Sequence, residues 1–333
     1  MESASRYSAA PQPYKNRAAD RPQRSLRRKK RRCPCLCVMM LALGVILVST
    51  YITRVFIPPN IQAGAALLIN ADTGRVLYSR NADQALPPAS MSKMMTELLV
   101  LEAVESGKHE WNENVRVSRY AAQVPGSQIG MTEGETYTLK QLFDALVVHS
   151  ANDAAVAIAE YLSGTESKFV TRMNSKSREI GLSVKTYFAN ASGLSSGDLM
   201  DFPQAASGAD TVMTARDAAA LARWLLRSYP EMTKVTRLKI VPIPQKEISL
   251  PATNLMLPGQ RHAYRGNNGF KTGFTRQAGY CFTGSAERGG SRLISVVMGA
   301  EDSDKRFTET RKLMDYGFRR QYHFWDALTA ILG

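Results

Sequence analysis

Cysteine is scarce in this chain: four among 333 residues, at Cys33, Cys35, Cys37 and Cys281. Three crowd beside an apolar run and one stands alone, which excludes a disulfide framework and a paired CxxC zinc cage. Histidine is equally rare. His109, His149, His262 and His323 lack metal-ligand spacing, so no metal and no other cofactor is expected. With 15 Pro and 23 Gly the chain is too poor in both to be collagen-like or of low complexity. Negative charge is in deficit, 29 Asp and Glu against 43 Lys and Arg, for a formal charge of +14. That excess is local, because residues 1–32 carry eleven Lys and Arg against only Glu2 and Asp20. The rest is mildly basic, and nucleic-acid binding is not expected of the folded part. What remains, 44% hydrophobic and 22% charged, is an ordinary globular composition. The length fits one larger α/β unit or two domains.

Residues 1–32 lack periodic apolar positions and read as a disordered basic tail. From Cys33 to Ile52 there is no charged residue, and about 20 such residues suffice to cross a ~30 Å hydrocarbon core. Residues 33–53 are therefore expected to be a transmembrane signal anchor. A cleaved secretory signal is the alternative. Its apolar region runs about 7–15 residues and ends in a small-x-small site, which Val48-Ser49-Thr50 matches poorly. The basic cluster Arg27–Arg32 precedes the run and Arg54 alone comes after it. That asymmetry predicts a cytoplasmic tail and an outside location for the chain from about Thr53 onward. Residues 54–62, with Pro58-Pro59-Asn60, form a short stiff linker.

Farther along, Ala65–Asn70 and Val76–Tyr78 flank Asp72-Thr73-Gly74, two apolar runs around a turn that predict a β-hairpin. A helix-rich middle comes next, at Thr96–Ser106, Leu139–Leu162 and Val212–Ser228. The last opens with Thr214-Ala215-Arg216-Asp217, a capping-box pattern with Asp in place of Glu or Gln. Ser195–Asp210, rich in Ser, Gly, Ala and Asp, is expected to be a loop. Strand-like runs return at Leu238–Val241, Gly279–Ala286 and Leu293–Gly299, and an amphipathic helix over Arg306–Phe318 closes the chain. This order predicts an α/β (α+β) unit with a helical subdomain.

Chemistry concentrates in three short motifs. Pro87-Pro88-Ala89-Ser90-Met91-Ser92-Lys93 contains Ser-x-x-Lys. With a helix starting at Ser90, three residues make about one turn and Lys93 projects alongside Ser90. A serine hydroxyl is a weak nucleophile until a base takes its proton. An amine does so only when neutral, which burial or adjacent positive charge brings about. A helix N-terminus also offers N–H groups to developing negative charge. Alone, the pattern equally describes a capped helix with a surface lysine. Ser150-Ala151-Asn152 adds a hydroxyl able to relay a proton and an amide able to hold a carbonyl, at a turn between helical runs. Lys271-Thr272-Gly273 leads into a strand, where Gly273 permits close backbone approach to an extended ligand. Lys271 adds a cation that can hold an anionic substrate end and depress the pKa of Lys93. Singly the triplets are uninformative; together in this order they are specific.

With these motifs stand Pro87–Thr96, Ser150–Ala157, Asn190–Leu194, Asn268–Thr275 and Ala278–Cys281. On them, the sequence from about Ala65 to Phe318 resembles the low-molecular-mass penicillin-binding proteins that are D-alanyl-D-alanine carboxypeptidases. The resemblance implies a β-lactamase/DD-peptidase-like fold, an antiparallel sheet with packed helices, over residues 63–320. It implies a Ser90 nucleophile acylated by a peptidoglycan pentapeptide, with Lys93 as general base and Ser150 and Asn152 as the second catalytic element. Lys271 would be the strand lysine, Thr272 and Gly273 would border the substrate, and Arg306 would steer its terminal carboxylate. The backbone N–H groups of Ser90 and Phe274 would form the oxyanion hole. β-Lactams should acylate Ser90, and the expected location is a bacterial inner membrane with the catalytic domain periplasmic.

Three positions depart from the pattern: Ala151 where Gly is common, Asn268 where Asp usually stands, and Ser195 where Asp is frequent. Residues 321–333 are expected to be a short tail, without the C-terminal β-rich domain of many relatives. The rival readings are a DD-endopeptidase acting on cross-links and a non-catalytic cell-wall-binding relative. A β-lactamase is disfavoured because no convincing Glu-x-x-x-Asn loop is found to supply a base for rapid deacylation.

Overall fold

The computed structural model describes residues 34–332, without side chains for 34–37, 48, 51–56 and 321–332. The expected basic tail and Cys33 lie outside the described residues. Two compact units divide the chain, residues 1–51 and 52–333. Helix α1 runs Pro34–Phe56 and exposes Val38, Leu41 and Val45. Among the described residues no helix is long and apolar enough to cross a membrane. The span expected over 33–53 lies partly outside them.

In the larger unit, β1 (Ala65–Asn70), β2 (Val76–Arg80), β3 (Asn267–Thr275), β4 (Gly279–Arg288) and β5 (Ser291–Ala300) form one antiparallel sheet. Its order is β2-β1-β5-β4-β3, so the expected hairpin sits at one edge, with Leu68 opposite Tyr78. The first and last strands pair inside the sheet, Leu67 facing Val296. Side chains alternate across a strand, and here both faces are buried. Leu67, Ile69, Ile294 and Val296 enter a core shared with α2 (Lys93–Glu105), α3 (Asn152–Ser163), α4 (Glu166–Glu179) and α5 (Ala215–Ser228). Leu68, Leu293 and Val297 turn to the other face, against Phe307, Leu313 and Met314 of α6 (Lys305–Leu332). Each such aliphatic side chain contributes about 1.5–3 kcal/mol when buried. An antiparallel sheet clad on both faces, with a helical subdomain, is the expected class.

Several boundaries differ from the expectation. The run 139–162 breaks at Ser150, at φ +67°, where a turn was expected; what differs is that Leu139–Asp144 passes into a π turn over Ala145–His149 before that break. The strand expected at 238–241 is Ile240–Ile243, because Leu238 N–H still closes the preceding helical turn on the Val235 carbonyl. Lys271-Thr272-Gly273 lies inside β3 rather than ahead of it. α6 begins at Lys305 and continues to Leu332, past the expected end at Phe318. The α5 start is as expected: Thr214 Oγ1 accepts from Asp217 N–H at 3.0 Å and donates to its carboxylate at 2.8 Å.

Candidate active site

Ser90 sits in a 3₁₀ turn, Ala89–Ser92, and α2 starts only at Lys93. The turn still places the pair side by side, with Lys93 Nζ 2.9 Å from Ser90 Oγ. The same nitrogen lies 2.6 Å from Asn152 Oδ1 and 2.7 Å from the Ser192 carbonyl. A neutral amine has two N–H groups and one lone pair. Amide and peptide oxygens only accept, so they take both N–H groups and leave the lone pair for the Ser90 hydroxyl. Burial, aided by the Lys271 ammonium, holds Lys93 well below the ordinary lysine pKa, while Glu97 and Asp153 pull it back up. The side chain is 0% exposed. Geometry and electrostatics thus both favour a lysine that takes a proton from the serine.

The second motif is held by a loop that carries no motif of its own. Asn152 Nδ2 donates to the Pro125 carbonyl at 2.6 Å, which fixes the amide with its oxygen toward Lys93. Asn152 N–H donates to the Ser127 carbonyl at 2.7 Å. Asp153 accepts from the N–H groups of Ile129, Gly130 and Met131, clamping the rest of that loop. Ala151 has φ −58° and ψ 124°, ordinary for an L residue, so glycine is not required there. Ser150 carries the left-handed backbone instead, a conformation costing a non-glycine residue about 1–3 kcal/mol and common at working sites. His149 meets the Pro251 carbonyl through its ring.

Strand β3 closes the other side. A Cβ on Gly273 would stand 2.6 Å from the Pro88 carbonyl oxygen and 3.1 Å from Ser90 N, so only glycine lets the strand approach the Ser90 turn this closely. Thr272 Oγ1 donates to Thr253 Oγ1 at 2.6 Å. Arg306, from the start of α6, donates to the Gly273 carbonyl at 3.3 Å and lies over Tyr280 and Phe307. Lys271 is 1% exposed. Burial pushes its pKa down to about 8, with Glu97 raising it and Arg306 lowering it further.

Ser90, Ser150, Asn152, Thr272, Gly273, Phe274 and Arg306 all line one cavity of about 290 Å³, together with Ser127, Leu194 and Thr253. The buried amines of Lys93 and Lys271 adjoin this wall without lining it. All nine residues singled out in the sequence therefore meet in one place. A larger hollow of about 620 Å³, between β1, β2 and α5, brings together none of them. Sequence reasoning missed the Ser192 carbonyl, Thr253 and the 125–131 loop. It singled out Asn190–Leu194 without giving it a role, and the structure supplies one. Asn190 Oδ1 gathers the N–H groups of Ser192 and Gly193, and the turn delivers the Ser192 carbonyl to Lys93.

Residues 53–302 match the Peptidase S11 family, described as D-alanyl-D-alanine carboxypeptidase. The chain belongs to that family. It is 38% identical over 260 residues to D-alanyl-D-alanine carboxypeptidase DacF of Bacillus subtilis, covering 77% of this chain and 62% of that relative. It is 32% identical over 283 residues to DacC of Escherichia coli, covering 82% and 64% respectively. This S11 chain thus spans somewhat less than two thirds of those relatives. Among solved structures it resembles penicillin-binding protein D2 of Listeria monocytogenes in its cefotaxime-bound form. That match has a TM-score of 0.69 at 38% identity and covers 78% of this chain and 99% of that one. The S11 fold is accordingly the antiparallel sheet and helical subdomain described above.

Proposed function

We propose that this S11 chain is a serine D-alanyl-D-alanine carboxypeptidase, removing the terminal D-alanine from peptidoglycan pentapeptide stems through a Ser90 acyl-enzyme. One observation carries the reading: the Lys93 amine, with two acceptors beside it, aims its remaining valence at Ser90 Oγ from 2.9 Å. Ser90 Oγ attacks the carbonyl of the penultimate D-alanine while its proton passes to Lys93 Nζ. The carbonyl oxygen takes up negative charge between the N–H groups of Ser90 and Phe274, at the gap that Gly273 keeps narrow. As the C–N bond breaks, the departing amine receives a proton from Lys93 by way of the Ser150 hydroxyl. Water then attacks the ester and gives its proton to Lys93 Nζ, which passes it to Ser90 Oγ as the ester C–O bond breaks, freeing the shortened peptide and restoring the serine. Arg306 and Thr272 receive the substrate's terminal carboxylate, and Lys271 adds positive charge there.

The substrate main chain lies extended along the open edge of β3, as an added strand. A β-lactam presents its ring carbonyl in the place of the scissile amide and acylates Ser90. The similarity to penicillin-binding protein D2 of Listeria monocytogenes in its cefotaxime-bound form supports this extension. The chain is anchored in the bacterial inner membrane through residues 33–53, with its catalytic domain periplasmic. The uncharged run from Cys33 to Ile52 and the Arg27–Arg32 cluster before it support that placement.

Incubation with a synthetic pentapeptide should release free D-alanine. No release from the pentapeptide, with cleavage of cross-linked dimers instead, would replace this activity with an endopeptidase. Membrane fractionation tests the anchor: a form exported without residues 1–53 should be soluble, and its retention on membranes would refute that role.

A further inference from the structure

Five acidic side chains are buried among the described residues: Glu97, Asp153, Glu166, Asp217 and Glu309. Four are answered by hydrogen-bond donors. Asp153 takes backbone N–H groups of the 129–131 loop. Glu166 takes the Tyr120 hydroxyl and the N–H groups of Ala191 and Ala206. Asp217 takes the hydroxyls of Ser183, Thr186 and Thr214, and Glu309 takes Gln62 N–H and the Lys312 ammonium. Glu97 is the exception, 1% exposed with neither oxygen hydrogen-bonded. A buried carboxyl left without donors is costly, and its surroundings supply a reason for it.

Glu97 lies four residues beyond Lys93, so the two share one face of α2. The charged groups acting on it are Lys93 from its own helix and Lys271 from β3. Both lysines are as buried as Glu97 itself. The next charges out act on those lysines: Asp153 of α3 on Lys93, and Arg306 of α6 on Lys271. From α4 and α5, Glu166 and Asp217 are engaged by their own donors. Two buried amines and one carboxyl with no hydrogen bond thus form a closed cluster beneath the Ser90 turn.

We propose that Glu97 is a positioning residue of the acylation step, its buried carboxylate being the counter-charge that keeps Lys271 cationic and stabilises the ammonium formed on Lys93. The step itself is unchanged: the Ser90 proton moves to Lys93 Nζ as the Ser90 Oγ–carbonyl carbon bond forms, and Glu97 makes or breaks no bond. Burial pushes Glu97 up and Lys271 down, while the Lys271 and Lys93 charges pull Glu97 back toward the carboxylate and Glu97 pulls Lys271 back toward the ammonium. Carboxyl and strand amine thus each favour the charged form of the other. The acylation half of the proposal rests on the acyl-enzyme reading above; the electrostatic half does not.

The test compares wild type, Glu97→Gln and Glu97→Asp by two readouts, after thermal melts establish that each is folded. In NMR titrations of protein with ¹³C-labelled lysine, removing the negative charge should lower the pKa of both buried lysines by about one unit or more in Glu97→Gln. In Glu97→Asp both should stay near their original values. Acylation by a fluorescent penicillin, tracked across pH, should move in the same sense. The acid limb needs Lys93 neutral and the alkaline limb needs Lys271 charged, so both limbs shift to lower pH, and the rate at pH 8 falls about fivefold. Glu97→Met, of similar volume and uncharged, should repeat the Gln result and serves where the Gln form is unstable. Unmoved lysine titrations in a folded uncharged variant would overturn the proposal, as would equal behaviour of the Asp and Gln forms. Lysine shifts without any acylation of wild type would instead locate the failure in the enzymatic reading.

Discussion

Replacing Asn152 by alanine removes one of the two acceptors that orient the Lys93 amine. The lost contact is the 2.6 Å bond from Lys93 Nζ to Asn152 Oδ1, in a site where the lysine is 0% exposed. Water has poor access there, so the freed N–H is left without a partner, at a cost of about 1–3 kcal/mol. The amine can relieve that cost by turning an N–H toward Ser90 Oγ, which takes the lone pair away from the hydroxyl proton. At about 1.36 kcal/mol per tenfold change, acylation should slow by about fivefold to 150-fold. Folding should survive, because the backbone bond from residue 152 to the Ser127 carbonyl and the Asp153 clamp remain. The assay is the second-order rate of labelling by a fluorescent penicillin, with a thermal melt as control. Asn152→Asp supplies the converse: a carboxylate beside the amine favours the ammonium, so the acid limb should move to higher pH by about 1–3 units. A folded Asn152→Ala protein labelled within about twofold of wild type, with an unshifted acid limb, would refute the orientation argument.

Gly273→Ala should cost about 100-fold in acylation, as loss of an oxyanion donor does. The added Cβ would meet the Pro88 carbonyl at 2.6 Å, a backbone atom that cannot swing aside. A labelling rate like wild type's would show that β3 need not approach the Ser90 turn so closely. With Lys271 at about 8, activity should decline as pH rises through that value and the strand loses its charge. Stability should move the other way. Between about 8 and the ordinary lysine value near 10.4, the unfolded chain binds more protons than the folded one, so this group adds stability as pH rises. Paired rate and melting measurements across that window check both signs, and a parallel decline of both would contradict the assignment.

The chemistry was more legible in the sequence than the scaffold that aims it. Ser90, Lys93, Asn152 and Lys271 belong to motifs whose residue types name their chemistry, and all converge. The Ser192 carbonyl does not, because every residue has one and only the fold decides which meets an amine. Thr253, the partner of Thr272, stands in Pro251-Ala252-Thr253-Asn254, a stretch without pattern. Glu97 carries no motif, and the alternative for Lys93 was a surface lysine, yet α2 is buried over nearly its whole length and so are both side chains. The sheet was readable because β1 and β5 carry apolar residues at consecutive positions, broken in the middle of β5 only by Ser295, as two-sided burial requires. The break at Ser150 was visible as a turn, but its left-handed backbone was not, since serine carries no glycine-like signal.

The most direct measurement is mass spectrometry of the intact protein and its peptides after brief exposure to benzylpenicillin. One covalent penicilloyl group should appear, on the peptide containing Ser90, and Ser90→Ala should abolish it. No adduct on wild type, or one that persists in Ser90→Ala, would contradict the assignment of Ser90 as the nucleophile.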